Sequence, residues 1–135
     1  MPVIVDTGVL YAAADTGDAW HARVRAWLEG TSEPLVVPVT VVPEVAYLLA
    51  ARLGPEAERV FVASLAAGEI GLEQVTRSDV ERCRALLDEY PHIGFVDASV
   101  VAVTERLRVR VVATTDRRHF GAVRPRHVAA LELVP

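Results

Sequence analysis

The chain contains no lysine; all 14 of its basic residues are arginine. That absence removes whole classes of chemistry. A phosphate-binding loop of the Walker type needs a lysine on the β- and γ-phosphates, and Schiff-base catalysis needs an amine side chain. Cysteine is nearly as scarce. The single Cys83 has no partner for an internal disulfide and falls at a helical core spacing, which marks a buried thiol rather than a nucleophile. Membrane-length apolar runs are missing as well: the hydrophobic share is 52% and the mean hydropathy +0.29, yet charged residues interrupt every apolar run. The apolar excess therefore belongs to a core and to interfaces. Residues 1–5 run straight into Asp6 with no basic segment or cleavage site, so a reducing cytoplasm is the expected compartment.

The 135 residues suffice for one compact domain spanning 1–135, with a core that needs no disulfide or structural metal. The net charge of −4 argues against a simple electrostatic nucleic-acid binder. The charge is unevenly spread, however. Arginines 106, 108, 110, 117, 118, 124 and 126 lie between Glu105 and His127, with Glu105 and Asp116 the acids in that stretch, which predicts a local basic surface.

Short apolar runs alternate with helical periodicity. Strands are predicted at Pro2–Val5, Pro34–Pro38, Ile70–Glu73, Val109–Ala113 and Leu131–Val134, the last at an edge. Asp18 is expected to cap a helix with Trp20, Val24, Trp27 and Leu28 on one face, where core packing or a partner surface accounts for the tryptophans. Thr40 is a candidate N-cap with Pro43 in the first turn, and Val45, Leu48, Leu49 and Leu53 form the stripe of that helix. Gly54 stops it, and Pro55 opens another running to Ala67. This helix pair is the candidate dimer surface. Thr76 to Asp79 reads as a capping box ahead of Val80, Cys83 and Leu87. From Asp97 to Leu107 the pattern is apolar nearly all round, as in a helix packed centrally, and 117–126 reads as loop or short helix. The alternation implies an α/β fold with a mainly parallel sheet and helices on both faces.

In such sheets ligands bind beyond the carboxyl ends of the strands. Asp6 and Asp116 fall at two such ends, and Glu44 and Asp97 at helix starts on the same edge. Each acid alone is ordinarily a cap or a turn residue. Four together repel one another unless a hard cation lies among them, and carboxylate oxygens suit Mg²⁺ or Mn²⁺. Metal-assisted cleavage of a phosphodiester follows from that donor set. Rival phosphate chemistries fail on required residues: a dehalogenase-type phosphatase wants an Asp where Gly8 stands, and both it and a receiver domain want a lysine.

Val-Asp6-Thr-Gly-Val-Leu, Pro43-Glu44, Gly-Phe-Val-Asp97-Ala-Ser and Ala-Thr-Thr-Asp116-Arg-Arg-His-Phe resemble, in order and across the whole chain, the acidic motifs of the PIN domain. Within that family they are most similar to the VapC-type toxin ribonucleases of toxin–antitoxin pairs. The resemblance implies a three-layer α/β/α sandwich, Mg²⁺- or Mn²⁺-dependent endoribonuclease activity with one or two ions, homodimerisation and neutralisation by a cognate antitoxin. It also implies an acidic quartet of Asp6, Glu44, Asp97 and Asp116. Asp6 and Asp97 are then the principal metal ligands, Asp116 a further one, and Glu44 orients water or a second ion. Thr115 is expected to position water or phosphate, and Arg117 and Arg118 to hold the RNA backbone. The alternative from another class is a catalytically silent PIN-like RNA-binding module in an RNA-processing assembly. A flap-endonuclease relative would need helical elements for which this chain has no room.

Overall fold

The computed structural model describes residues 1–135. Five short strands alternate with seven helices: β1 (Val3–Val5), α1 (Thr7–Ala14), α2 (His21–Gly30), β2 (Leu35–Pro38), α3 (Val41–Leu53), α4 (Pro55–Ala66), β3 (Gly71–Glu73), α5 (Arg77–Glu89), α6 (Phe95–Leu107), β4 (Val111–Ala113), α7 (Arg117–Gly121) and β5 (Glu132–Val134). Every strand pair is parallel, in the order β3-β2-β1-β4-β5. The predicted edge position of the last strand is therefore observed.

Strands of three or four residues can hold a sheet because both faces are buried. Side chains alternate across a strand. Val3 and Val5 enter a smaller apolar cluster with Val9, Ala12 and Val24, whereas Ile4 between them enters a larger one with Val41, Val45, Leu49, Leu86 and residues of α6. Helices thus cover both faces, giving the three-layer α/β/α sandwich. Trp20 and Trp27 lie partly buried against the smaller cluster, so core packing accounts for them. Helix α2 begins at His21 rather than at the Asp18 cap, because Asp18 Oδ1 accepts from the Trp20 amide at 2.8 Å in a turn before the helix.

The helix over 95–107 is the most deeply packed of the helices, with residues 98–104 buried without a break. Its apolar character all round required this position. The capping box before α5 is present: the Asp79 amide donates to Thr76 Oγ1 at 3.1 Å, and the Thr76 amide to Asp79 Oδ2 at 2.9 Å. The buried face of α5 is rotated from the expected one. Asp79, Cys83 and Leu86 point inward, while Val80 and Leu87 are exposed. The cause is an ion pair: Arg106 Nε reaches Asp79 Oδ2 at 3.0 Å and draws that carboxylate into the seam between α5 and α6. Similarly Leu53 of α3 is exposed, leaving Val41, Val45 and Leu49 as its buried stripe. Gly54 separates α3 from α4 at φ 98°, a left-handed-side conformation that favours glycine.

Candidate active site at the switch point of the sheet

From β1 the chain moves through β2 to β3 on one side, and β4 and β5 occupy the other, so the switch point lies between β1 and β4. In open parallel sheets the ligand crevice lies at this point, beyond the carboxyl ends of the strands. Register sets its contents. Val5 is aligned with Ala113, and the Asp6 amide donates to the Ala113 carbonyl at 2.9 Å. Asp6 is thereby placed beside Thr114. The Thr114 hydroxyl donates to Asp6 Oδ2 at 3.1 Å and accepts from the Asp116 amide at 2.9 Å.

Asp6 occupies the N-cap position of α1, yet its carboxylate makes no cap bond. Burial drives its pKa up to about 7; the Asp97 and Glu44 charges add to this, while the adjacent Thr7 amide and the hydrogen bond from Thr114 oppose it. Asp97 is in the first turn of α6, behind Gly94 at the N-cap. Its carboxyl is also raised, first by burial and then by Asp116, with His119 pulling the other way and Glu44 adding to the rise. Glu44 lies exposed in the first turn of α3. Thr40 before it does not cap. Its hydroxyl instead meets Ser99 Oγ at 2.6 Å, and because Ser99 donates to the Val96 carbonyl, Thr40 is the donor. That bond ties the start of α3 to the start of α6, hence the Glu44 turn to the Asp97 turn.

Asp6, Glu44 and Asp97 have no salt-bridge partner. Asp116 is engaged locally: Oδ1 caps α7 through the His119 amide at 3.0 Å, and Oδ2 lies 2.7 Å from His119 Nδ1. One ligand atom each from Asp97, Asp116 and His119 falls within 4.8 Å of the others. The edge thus has two lobes. Asp6, Glu44 and Asp97 form one, Asp97, Asp116 and His119 the other, and Asp97 belongs to both.

This donor set fits a divalent cation. Carboxylates whose pKa values are raised by burial and mutual repulsion, with no arginine among them, lack a positive charge of the kind a hard cation would supply.

The other expected residues divide. Thr115 packs on Gly8, where a Cβ would come 2.1 Å from Thr115 Oγ1, so glycine is required by that close approach. Arg118 is exposed and lines a hollow with His92, His119 and Ala122 beside the second lobe. Arg117 donates to the Pro135 carbonyl and lies 5.9 Å from the Trp20 ring. The expected single basic surface is split. Arg106, Arg108 and Arg126 line a pocket with Arg82, Glu105 and Asp79 at the far end of α6, where Arg82 and Arg106 are held in ion pairs.

Two site residues were missed from the sequence. Thr114 could not be told from Thr115 without the β1–β4 register. His119 did carry a signal, since it stands three residues after Asp116 and so on the same side of one helical turn.

An open parallel α/β sandwich with an acidic crevice at its switch point defines the class. Residues 3–124 match the PIN domain. The chain belongs to the PIN domain family and, within it, groups with the VapC-type ribonucleases. Ribonuclease VapC26 of Mycobacterium tuberculosis is 36% identical over 125 residues, covering 91% of this chain and 93% of that protein. Among solved structures, the sarcin–ricin loop cleaving toxin VapC20 of the same organism superposes with a TM-score of 0.81 at 23% identity, covering 87% of this chain and 92% of the other. VapBC2 from Rickettsia felis, bound to a DNA fragment from its promoter, gives a TM-score of 0.70 at 13% identity with both chains fully covered.

Proposed function

We propose that residues 1–135 act as a single PIN domain with metal-dependent endoribonuclease activity, a toxin neutralised by a cognate antitoxin. The observation that carries this is the unpaired acidic set of Asp6, Glu44 and Asp97 beside Asp116 at the switch-point crevice. The similarity to a VapC ribonuclease over nine-tenths of both chains supports the ribonuclease reading. Neighbours that are VapBC or toxin–antitoxin complexes support the antitoxin. The silent-module alternative is disfavoured, because a decayed site has no reason to keep four acids in one crevice.

Asp6 and Asp97 would hold the cation, Asp116 would complete its ligands, and Glu44 would orient the attacking water or meet a second ion. When bound, Mg²⁺ or Mn²⁺ supplies the positive charge that activates water and stabilises charge on the phosphodiester oxygens. The protein's part is positioning. Thr114 fixes the Asp6 carboxylate, the Thr40–Ser99 bond couples the two helix starts, and Thr115 packs closely over Gly8. Arg118, with Arg117 beside it, would hold the RNA backbone where the acidic edge is otherwise repulsive to phosphate. Exposed Tyr47, Val60 and Val62 on α3 and α4 support that helix pair as the homodimer surface. No helix is long and apolar enough to cross a membrane, and we place the activity in the cytoplasm.

The test is a cleavage assay on mixed cellular RNA with Mg²⁺, Mn²⁺ or EDTA, run beside Asp97→Asn. Metal-dependent cutting that the substitution abolishes is the expected result. No cutting by folded, antitoxin-free protein with any metal and any RNA pool would overturn the reading.

A further inference from the structure

Resting on the metal-dependent reading of this crevice, we propose that His119 is itself a metal ligand. With Asp97 and Asp116 it forms a cation position distinct from the Asp6 lobe, and its nitrogen makes that position favour a first-row transition ion such as Mn²⁺ over Mg²⁺.

The geometry places an imidazole where an all-oxygen site would have a third carboxylate. Ligand atoms of Asp97, Asp116 and His119 converge within 4.8 Å, a span that one ion can bridge. Asp6 is absent from that group, and its Oδ2 instead accepts from the Thr114 hydroxyl at 3.1 Å. The His119 ring is held from two directions. Its own amide is fixed by Asp116 Oδ1 at 3.0 Å, and its ring lies 5.3 Å from that of His92, whose Nε2 is 3.4 Å from the His119 carbonyl. The backbone bond fixes where the side chain starts. The ring is then aimed by its 2.7 Å contact with Asp116 Oδ2.

That contact needs a proton between nitrogen and oxygen, and a cation can take the proton's place with both atoms as ligands. Chemistry then sets the preference. Mg²⁺ takes oxygen ligands and gives up water reluctantly, whereas imidazole is a good ligand for transition ions. Two carboxylates with one imidazole therefore discriminate by donor type rather than by charge. Asp97, and Asp116 where it also completes the ligands of the Asp6 cation, would make occupancy of the two lobes interdependent.

The test uses the full chain loaded with Mn²⁺ alone. Pulsed EPR of the wild type is expected to show the nitrogen coupling of a directly ligated imidazole. His119→Ala and His119→Gln should lose it, each with Mn²⁺ affinity lowered by about tenfold or more, and His92→Ala should keep it. Calorimetric Mg²⁺ affinity should change less than about twofold in the His119 variants, the ratio that a nitrogen ligand predicts. A wild-type spectrum without imidazole coupling overturns the inference, as does coupling that survives in folded His119→Gln. Cleavage of RNA in Mg²⁺, followed in parallel, separates the two readings. Cutting without nitrogen coupling removes His119 as a ligand and leaves the nuclease standing; coupling without cutting does the reverse.

Discussion

The Thr114 hydroxyl donates to Asp6 Oδ2 at 3.1 Å, joining residues 108 apart in sequence across the β1–β4 register. The same oxygen accepts the Asp116 amide, so one buried hydroxyl sets two of the four acids. Thr114→Val keeps the shape and removes both bonds. It leaves the Asp116 amide unpaired and takes away one of the groups that hold the Asp6 pKa down. The expected loss is about 1–3 kcal/mol of stability, together with a pH–rate profile for cleavage whose acid limb moves to higher pH. Thr114→Ser should restore both. An unmoved profile in a folded Thr114→Val would show that Asp6 does not depend on this bond.

Asp6 makes stability depend on pH in an unusual direction for a carboxylate. Its folded pKa of about 7 exceeds the ordinary 3.8, so between those values the folded chain binds more protons than the unfolded one. Stability from this group is fully present below about pH 4 and is lost as pH rises through 7. A shift of about three units corresponds to ~4 kcal/mol at most. Metal-free protein should therefore show a falling contribution from pH 5 to 8, and saturating Mn²⁺ or Mg²⁺ should reverse it. Asp6→Asn should melt higher than wild type at pH 8 without metal, gain little from added metal, and cut no RNA. Thermal melts across pH, with and without EDTA, check all three. A wild-type melting temperature that does not respond to metal at pH 8 would count against a cation at Asp6.

Gly8 and Thr115 form a contact that discriminates positioning from bulk stability. A Cβ on residue 8 would lie 2.1 Å from Thr115 Oγ1 and 3.3 Å from its Cβ. The hydroxyl can rotate aside, but the Cβ must move with the backbone that carries Thr114 and Asp116. Gly8→Ala should therefore cost only about 1–2 kcal/mol while lowering cleavage by roughly tenfold, the result of a displacement near 1 Å or less. Thr115→Gly, which removes that Cβ, should recover part of both losses when combined with Gly8→Ala. Additive effects in the double variant would show that the two residues are uncoupled.

Much of this fold is legible in the sequence because punctuation and period agree. Gly54 followed by Pro55 marks the α3–α4 boundary, and the Thr76–Asp79 box marks the start of α5 within a residue. What is not legible depends on pairing between distant segments. The rotation of α5 comes from Arg106 attracting Asp79, a partner 27 residues away. The division of the arginines between two ends of the molecule follows from α6 crossing the domain between Asp97 and Arg106. Thr40 looks like a cap and is instead a bridge to Ser99, for the same reason. The candidate acids themselves were visible because each stands at an element boundary, where the sequence signal is strongest.

The Asp79–Arg106 pair predicts a variant that separates folding from the crevice. Asp79 is nearly wholly buried, accepts from Arg106 and closes the capping box, while Arg106 also reaches Glu73 at 3.1 Å. Removing the carboxylate strands a part-buried guanidinium and opens the cap. Arg106 keeps some access to water, which discounts the cost to about 2–3 kcal/mol for Asp79→Ala. At this size that is roughly 7–10 °C in Tm. Because the pair lies at the far end of α6 from Asp97, RNA cleavage below the melting transition should stay within about twofold of wild type, as expected for distant independent sites. A large loss of cleavage with an unchanged Tm would reverse this assignment.

Arg118 and Arg117 are adjacent in sequence but differ in what holds them, and charge reversal should tell them apart. Arg118 is exposed beside His119, with no ion pair to neutralise it. Arg117 is committed to the Pro135 carbonyl and lies near Trp20. With cleavage blocked by Asp97→Asn, Arg118→Glu should weaken binding of single-stranded RNA about tenfold at low salt and reduce the salt slope by roughly 0.7, the value for one lost phosphate contact. Arg117→Glu should weaken RNA less and lower Tm more, because it releases Pro135, which follows β5. Equal RNA losses and equal salt slopes in the two variants would mean that the Pro135 contact gives way when RNA binds, and that both guanidinium groups face phosphate.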